Sequence, residues 1–570
     1  MTKGLNTGDP LPWEKRTISS VISDVGQTGN RISTTVLSNF GKGGFKALPK
    51  DLQSAFQGWV NARRASKLEG LIKQKEFSDL NDKGMQGIFD FQAGLKEDRL
   101  GEVKKYFDDK YGELQKAGVG FNYKEDYLPG LWINSEDEIL KVFERQLGTR
   151  PSFTLHSLFK DYEEGIKAGL TPKFNNIGDL AAWYEQRANK ALADKSFFDY
   201  LGKSGMMQPT GIAPKNWVTI DPDRFPRIKV MIGDKEFEGS YKAPVEMAEV
   251  INNYLKNPQF KFLEKIANYV TRVKNVALNF GIPGTAINMH GVNILARHTL
   301  FGTGSNPISR FLTSTLYMAH PGAAEKYLDK VLLSAPDAIK SGLSMGAEDY
   351  TGIGKAAESL AGTFSKKWDD AFGTPLFNKM LPALKLSSYD QLVKNGMDKP
   401  DAAKLVNNVY GGINWEQVGR NRDFQNLLRT IILAPDWAET TVRLGGNIGK
   451  AFTPWGGKTA STYRRMAATF MAGYVSLNIA NKLTSGHYAF ENEPGHTFEL
   501  ELGFTGDGQK RYLRPYGTAM DMFRVPFDVA KGLVEGDTSV VARTLRNRLS
   551  IPAGVVVGAL TDTDYRGNAI

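Results

Sequence analysis

The chain contains no cysteine, which excludes disulfides, thiolate nucleophiles, thiolate zinc sites and iron–sulfur clusters together. Its stability has to come from packing. Histidine is scarce as well. The six are His156, His290, His298, His320, His487 and His496, and no pair has the i, i+4 spacing that sets two imidazoles on one helix face around a zinc ion. His487 and His496 flank Glu491 and Glu493. In a stretch rich in Gly and Pro these read as solvated polar residues, so no metal site is assigned.

The phosphate-binding and nucleophile motifs are missing too. Neither Gly41 to Gly44 nor Gly411-Gly412 leads into the Gly-Lys-Ser/Thr of a P-loop. Gly456-Gly457-Lys458-Thr459 has the last letters but lacks the glycine five residues before Gly457, and reads as the start of a helix. There is no Gly-x-Ser-x-Gly elbow. Carboxylates are paired at Asp108-Asp109, Glu163-Glu164 and Asp369-Asp370, but neighbours on a helix diverge by about 100°, so no such pair can flank one glycosidic bond by itself. No catalytic residue and no cofactor are assigned.

Long apolar runs are also rare. Met466 to Leu483 comes nearest to a membrane-spanning length, but Asn478 and Asn481 argue against a permanent span, and the expected place is a helix buried between neighbours. Ile551 to Leu560 is too short to span. Met1 to Arg16, with Gly4, Gly8, Pro10 and Pro12, is expected to be a loose arm rather than a signal peptide or anchor.

What is present is ordinary globular material: 570 residues, 41% hydrophobic and 24% charged, enough for two to four domains or an extended helical array. Lys and Arg number 72 against 62 Asp and Glu, net +10, an excess that permits an anionic partner without demanding one. The most basic stretch is Lys42 to Lys75, where Lys42, Lys46, Lys50, Arg63, Arg64, Lys67, Lys73 and Lys75 meet only Asp51 and Glu69 as opposing charges. Lys42, Lys46, Lys50, Arg63, Arg64 and Lys67 are the candidate phosphate contacts.

Apolar residues recur near the 3.6 period over Ile18 to Phe40. They recur again after Asp51, read as an N-cap, through Leu52, Phe56, Trp59, Val60, Leu68, Leu71 and Ile72. Further helical patterns run over Val103 to Leu114, Ile139 to Leu147, Leu180 to Leu201, Phe262 to Phe280, Ala286 to Phe301, Phe424 to Leu444 and Ser461 to Leu483. Tyr123 to Trp132 is a loop broken at Pro129-Gly130. Two short stretches alternate instead. Trp217 to Tyr241 has a turn at Gly233-Asp234, and in His496 to Tyr512 Phe498, Leu500 and Leu502 alternate with Glu499 and Glu501; each predicts a small β-hairpin. The fold class expected is mainly α, as multi-helix bundles or helical hairpins with one or two small β-hairpin inserts. The expected organisation is an arm over 1–16, a helical region over 17–203, a hairpin insert over 204–243, a central helical region over 244–420 and a C-terminal helical region over 421–570.

Three segments carry a resemblance. Gly281-Ile282-Pro283-Gly284-Thr285-Ala286-Ile287-Asn288 leads to Asn293-Ile294-Leu295-Ala296-Arg297. Next comes Arg429 to Trp437 with Pro435-Asp436-Trp437, and finally Thr563-Asp564-Tyr565-Arg566-Gly567-Asn568-Ala569-Ile570. In content and order they resemble the region associated with large polyvalent proteins of bacteriophages and mobile elements. The resemblance singles out Gly281, Pro283, Gly284, Asn288, Arg297, Pro435, Trp437, Asp564, Tyr565 and Gly567, and brings no catalytic residue. It implies an internal or ejected virion protein, held in the particle interior and then in the host cytoplasm or envelope. The partners it implies are phage DNA, portal, tail or other virion proteins, further copies of the chain, or transiently a membrane. The alternatives are an enzyme of cell-wall passage or DNA uptake, and a cytoplasmic phage protein that binds DNA.

Overall fold

The structure, a computed structural model, describes residues 44–92, 98–119, 162–167, 169–220, 230–237, 239–255, 291–302, 306–345, 375–412, 417, 435–493, 496–504, 506 and 508–515. Among these the protein is mainly α, with fourteen α-helices and three small sheets. The helical patterns over Ile18 to Phe40, Ile139 to Leu147 and Phe262 to Phe280 lie outside the described residues. So do the loop Tyr123 to Trp132, the arm and Ile551 to Leu560.

The N-terminal half is built on two 27-residue helices, α1 (Lys50–Glu76) and α5 (Ile177–Lys203), each about 40 Å long at 1.5 Å per residue. They run antiparallel. Asp51 meets Tyr200, Arg63 meets Asp194, Glu69 meets Asn189 and Gln74 meets Asp179. The helices approach most closely at Gly70, where a Cβ would stand 2.5 Å from the Ala182 carbonyl oxygen; backbone cannot retreat from such a contact, so the crossing requires glycine. α1 starts two residues earlier than the sequence suggests. Pro49, in extended backbone, takes the N-cap place, and Asp51 sits in the first turn, where its charge still faces the positive helix end. Leu71, assigned to the apolar face, is 50% exposed instead. α5 has a side-chain cap, Asn176 Oδ1 accepting from the Asp179 N–H at 2.8 Å, which satisfies a first-turn donor.

Two cores form on this pair. Around one, Trp59 stacks on Phe197 at 4.5 Å, with Phe56, Phe198, Val60 and Leu201 beside it. The second gathers Phe77, Ile88 and Leu180 with Val103 and Phe107, joining α5 to α2 (Gly84–Gln92) and α3 (Asp98–Lys116). A short α4 (Tyr162–Lys167) precedes α5.

The insert after α5 is β as expected. Strands β1 (Gln208–Pro209) and β2 (Val218–Thr219) flank β5 (Tyr241–Ala243), while β3 (Val230–Ile232) and β4 (Lys235–Phe237) form a separate hairpin. Its two-residue turn is Gly233-Asp234, with Gly233 at φ 60°, the left-handed geometry that tight hairpins need. α6 (Val245–Leu255) buries Met247, Val250 and Ile251 in the Trp59 core.

A third core draws on residues from Ile294 to Phe498. It packs α7 (Val292–Phe301), α8 (Pro307–Ala319), α9 (Pro321–Val331), α10 (Ala335–Lys340), α11 (Leu381–Lys394), α12 (Lys399–Tyr410), α13 (Pro435–Lys450) and α14 (Ala460–Ser485). It is continuous across residue 420, where the sequence suggested a boundary. α10 ties it to α1: Asn61 Nδ2 donates to the Lys340 carbonyl at 3.1 Å, and Lys340 pairs with Glu69 at 2.6 Å.

α14 corrects one expectation. It is not surrounded: Met466, Phe470, Leu477 and Asn481 are buried, while Met471, Val475, Ile479 and Leu483 are exposed. Among the described residues no helix is long and apolar enough to cross a membrane.

The last hairpin pairs β6 (Leu500–Phe504) with β7 (Lys510–Leu513) and packs on α14. Its alternation is present, but past the buried Phe498 it is inverted. Glu499 and Glu501 are buried at 3% and 5%, while Leu502 and Phe504 are exposed at 55% and 65%. The cause is the surface beneath. α14 presents Asn481, whose Oδ1 accepts the Glu501 N–H at 2.7 Å, so the strand turns its carboxylates toward a polar seat.

Candidate functional site

The basic stretch is the first candidate, and part of its charge is paired within the fold. Lys42 lies outside the described residues. Arg63 reaches Asp194 Oδ1 at 2.5 Å, where the Trp59 indole N–H also donates at 2.7 Å. Its guanidinium lies against the rings of Trp59 and Tyr254, 5.4 Å from each centroid. Burial pushes the Asp194 carboxyl up from its ordinary value, against the pull of Arg63 and the indole N–H. Lys73 pairs with Glu76 at 2.8 Å and Lys75 with Asp329 at 2.6 Å. Arg64 is half-buried. Lys46, Lys50 and Lys67 are exposed. Lys50 and Lys67 are about 26 Å apart along α1 and point about 100° away from each other, so these two do not converge on one phosphate.

The motif residues form the second candidate. Gly281, Pro283, Gly284, Asn288, Asp564, Tyr565 and Gly567 lie outside the described residues. Pro435 and Trp437 open α13. Arg297, on α7, is 1% exposed. One guanidinium nitrogen donates to the Val409 carbonyl on α12 at 3.1 Å, and another to Thr441 Oγ1 on α13 at 2.6 Å. Arg297, from the first motif segment, therefore ties α7 to α12 and to α13, the helix that the second segment opens.

Next to Arg297 lies a buried hydrogen-bond chain. His298 Nδ1 contacts the Tyr410 hydroxyl, which is 2.8 Å from Ser388 Oγ, so α7, α12 and α11 are linked. Nearby, Lys385 is fully buried and donates to the Ser344 carbonyl at 2.8 Å. Burial, reinforced by the charge of Arg310, pulls His298 down to about 3, so the folded protein keeps it neutral at every ordinary pH.

This predicts a pH dependence of stability. Between the ordinary value near 6.5 and about 3, the unfolded chain takes up a proton at His298 that the folded chain refuses. Stability at this residue is complete above 6.5 and falls with pH by about 1.4 kcal/mol per unit. Urea unfolding at pH 7, 6 and 5 should show His298→Leu losing less stability than the parent, by about half that amount between pH 7 and 6 and nearly all of it between pH 6 and 5. Equal slopes would mean that His298 is protonated in the fold.

The third candidate is a cleft of about 630 Å³ between α8, α11, α12 and the start of α14. Arg310, Lys458 and Arg465 line it together with Asp398 and Asp401, and Lys458 stands 3.7 Å from Asp398. Gly456-Gly457-Lys458-Thr459 is a helix start, as the sequence suggests. Thr459 takes the N-cap place of α14, and its side chain makes no capping bond.

The fourth is the inverted hairpin. The histidines that the sequence set beside Glu491 and Glu493 pair with other carboxylates. His496 Nδ1 lies 2.7 Å from Glu499, and His487 Nε2 lies 3.3 Å from Glu501. Arg514 also binds Glu499, and Lys510 stands 3.3 Å from Glu501. Although desolvation opposes it, the bonds from His496 and Arg514 hold the Glu499 carboxyl below its ordinary range. Each carboxylate thus sits between a histidine and a cation, an arrangement that neutralises buried charge. Among the described residues no group of three or more His, Asp or Glu is set to hold a metal ion.

The burial of these charges was not legible locally. Asp194, Lys385, Glu499 and Glu501 carry no sequence signal that marks them for burial, and their partners come from other elements. Comparison with family models, with characterised proteins and with solved structures finds no match.

Proposed function

We propose that this chain is a bacteriophage internal virion protein, packed with or near the genome and delivered into the host, working through binding rather than catalysis. The motif resemblance supplies the setting. Within it, Arg297 of the first motif segment bonds Thr441 on α13, the helix that Pro435 and Trp437 open, which fits a region that specifies a fold.

The observation that carries the binding role is where apolar surface lies open. The C-terminal half exposes Ile308, Phe311, Leu312 and Leu316 on α8, then Met471, Val475, Ile479 and Leu483 on α14, and Leu502 and Phe504 on β6. Exposed apolar helix and strand faces of this kind mark interaction sites. The net charge of +10 suits residence beside DNA. Portal, tail or other virion proteins are the partners this reading proposes, with the particle interior as the first location.

Quantitative mass spectrometry of purified full particles and of particles emptied of DNA tests it. The protein is expected in the first and depleted in the second. Equal amounts would make it a fixed shell or tail part, and absence from both would favour a cytoplasmic DNA-binding protein.

A further inference from the structure

We infer that the exposed face of α14 is a docking surface for an anionic lipid bilayer, on which the helix lies flat. The inference stands on this helix alone and does not need the virion reading.

Met471, Val475, Ile479 and Leu483 are 55%, 51%, 53% and 83% exposed. Spaced by four, they drift about 40° per step and share an arc of about 120°. The opposite side of the helix is sealed into the protein by Tyr463, Met466, Phe470 and Leu477. The stripe is therefore a fixed feature of a packed helix.

Charge decides what it fits. In its 26 residues α14 carries Arg464, Arg465 and Lys482 and no Asp or Glu. All three cations are exposed. On the helical wheel Arg464 and Lys482 fall within about 20° of Met471, and they stand about 27 Å apart along the axis. The face is thus an apolar strip with a cation at each end.

A second copy would bring cation against cation. In a parallel pair Arg464 meets Arg464 and Lys482 meets Lys482; in an antiparallel pair Arg464 meets Lys482, and α14 has no carboxylate to answer either. A bilayer bearing anionic headgroups answers both features: the acyl boundary takes the four apolar side chains, and the phosphates take the terminal cations, whose stems reach up from the strip. A crossing is excluded for this helix, which falls short of the apolar content that spanning requires.

The test is vesicle flotation of the full chain. Vesicles of equal parts phosphatidylcholine and phosphatidylglycerol are compared with phosphatidylcholine alone. The expected result is at least about tenfold more protein floating with the mixed vesicles, from three cations near an anionic surface. Val475→Ser with Ile479→Ser changes no charge and touches two exposed side chains, and it should lose most of that flotation with Tm and circular dichroism unchanged. Arg464→Gln with Lys482→Gln should lower flotation toward the phosphatidylcholine level.

Three results would overturn the inference. Equal flotation of parent and serine variant would mean that the chain's overall charge, not the stripe, attaches it. A dimer of the parent in solution that the serine variant turns into monomer would seat a second copy there. A Tm lowered by several degrees in the serine variant would show that another part of the chain covers the face.

Discussion

Replacing Arg63 with alanine is expected to cost about 3–5 kcal/mol of unfolding free energy, because it leaves the Asp194 carboxylate buried with the Trp59 indole as its remaining close donor. The side chains are 12% and 5% exposed, so water cannot take over the arginine's place. Lys67→Ala, on an exposed residue of the same helix, should stay within about 0.5 kcal/mol. Urea unfolding of both variants checks this. A similar small loss for both would mean that Arg63 is an ordinary surface cation.

The outcome also decides how DNA contact should be tested. Among the described residues of that set, Lys46, Lys50 and Lys67 are exposed and can be changed without disturbing a buried pair. If they touch phosphates, replacing them flattens the dependence of binding on salt.

Arg297→Met is the second large effect, expected to cost about 2–4 kcal/mol. It removes the buried donors to the Val409 carbonyl and the Thr441 hydroxyl, and losing a buried hydrogen bond to a charged group costs about 1.5–3 kcal/mol. Thr441→Val alone should cost less, since it removes one partner. In a double-mutant cycle the two changes should couple by about 1 kcal/mol or more, as residues in direct hydrogen-bond contact do. Additive losses would show that α7 and α13 are not joined by this bond.

The fold was legible where one element contains its own reasons. The apolar spacing on α5 and α3 marked both helices, and Gly233-Asp234 marked a hairpin turn because only a left-handed residue closes it so tightly. The same reading failed wherever the answer lies on another element. Alternation in β6 sets a period of two but leaves open which face is inward, and Asn481 on α14 decides that from 20 residues away. The basic stretch looked unopposed because Asp194 and Asp329 are distant in sequence and near in space. Arg297 stood out by resemblance, but its role as a tie between α7, α12 and α13 needed the packing. On α14 the asparagines pointed to contact with protein, and Asn478 and Asn481 are indeed buried; the stripe on the other side follows from a helix that is sealed on one face only.

Delivery is most directly tested by labelling the protein isotopically in particles, letting them adsorb to unlabelled cells, and separating cells from emptied particles before mass spectrometry. An internal virion protein that leaves with the genome will be found labelled in the cells, with little left in the emptied particles. Label that stays with the emptied particles while the DNA enters would contradict it.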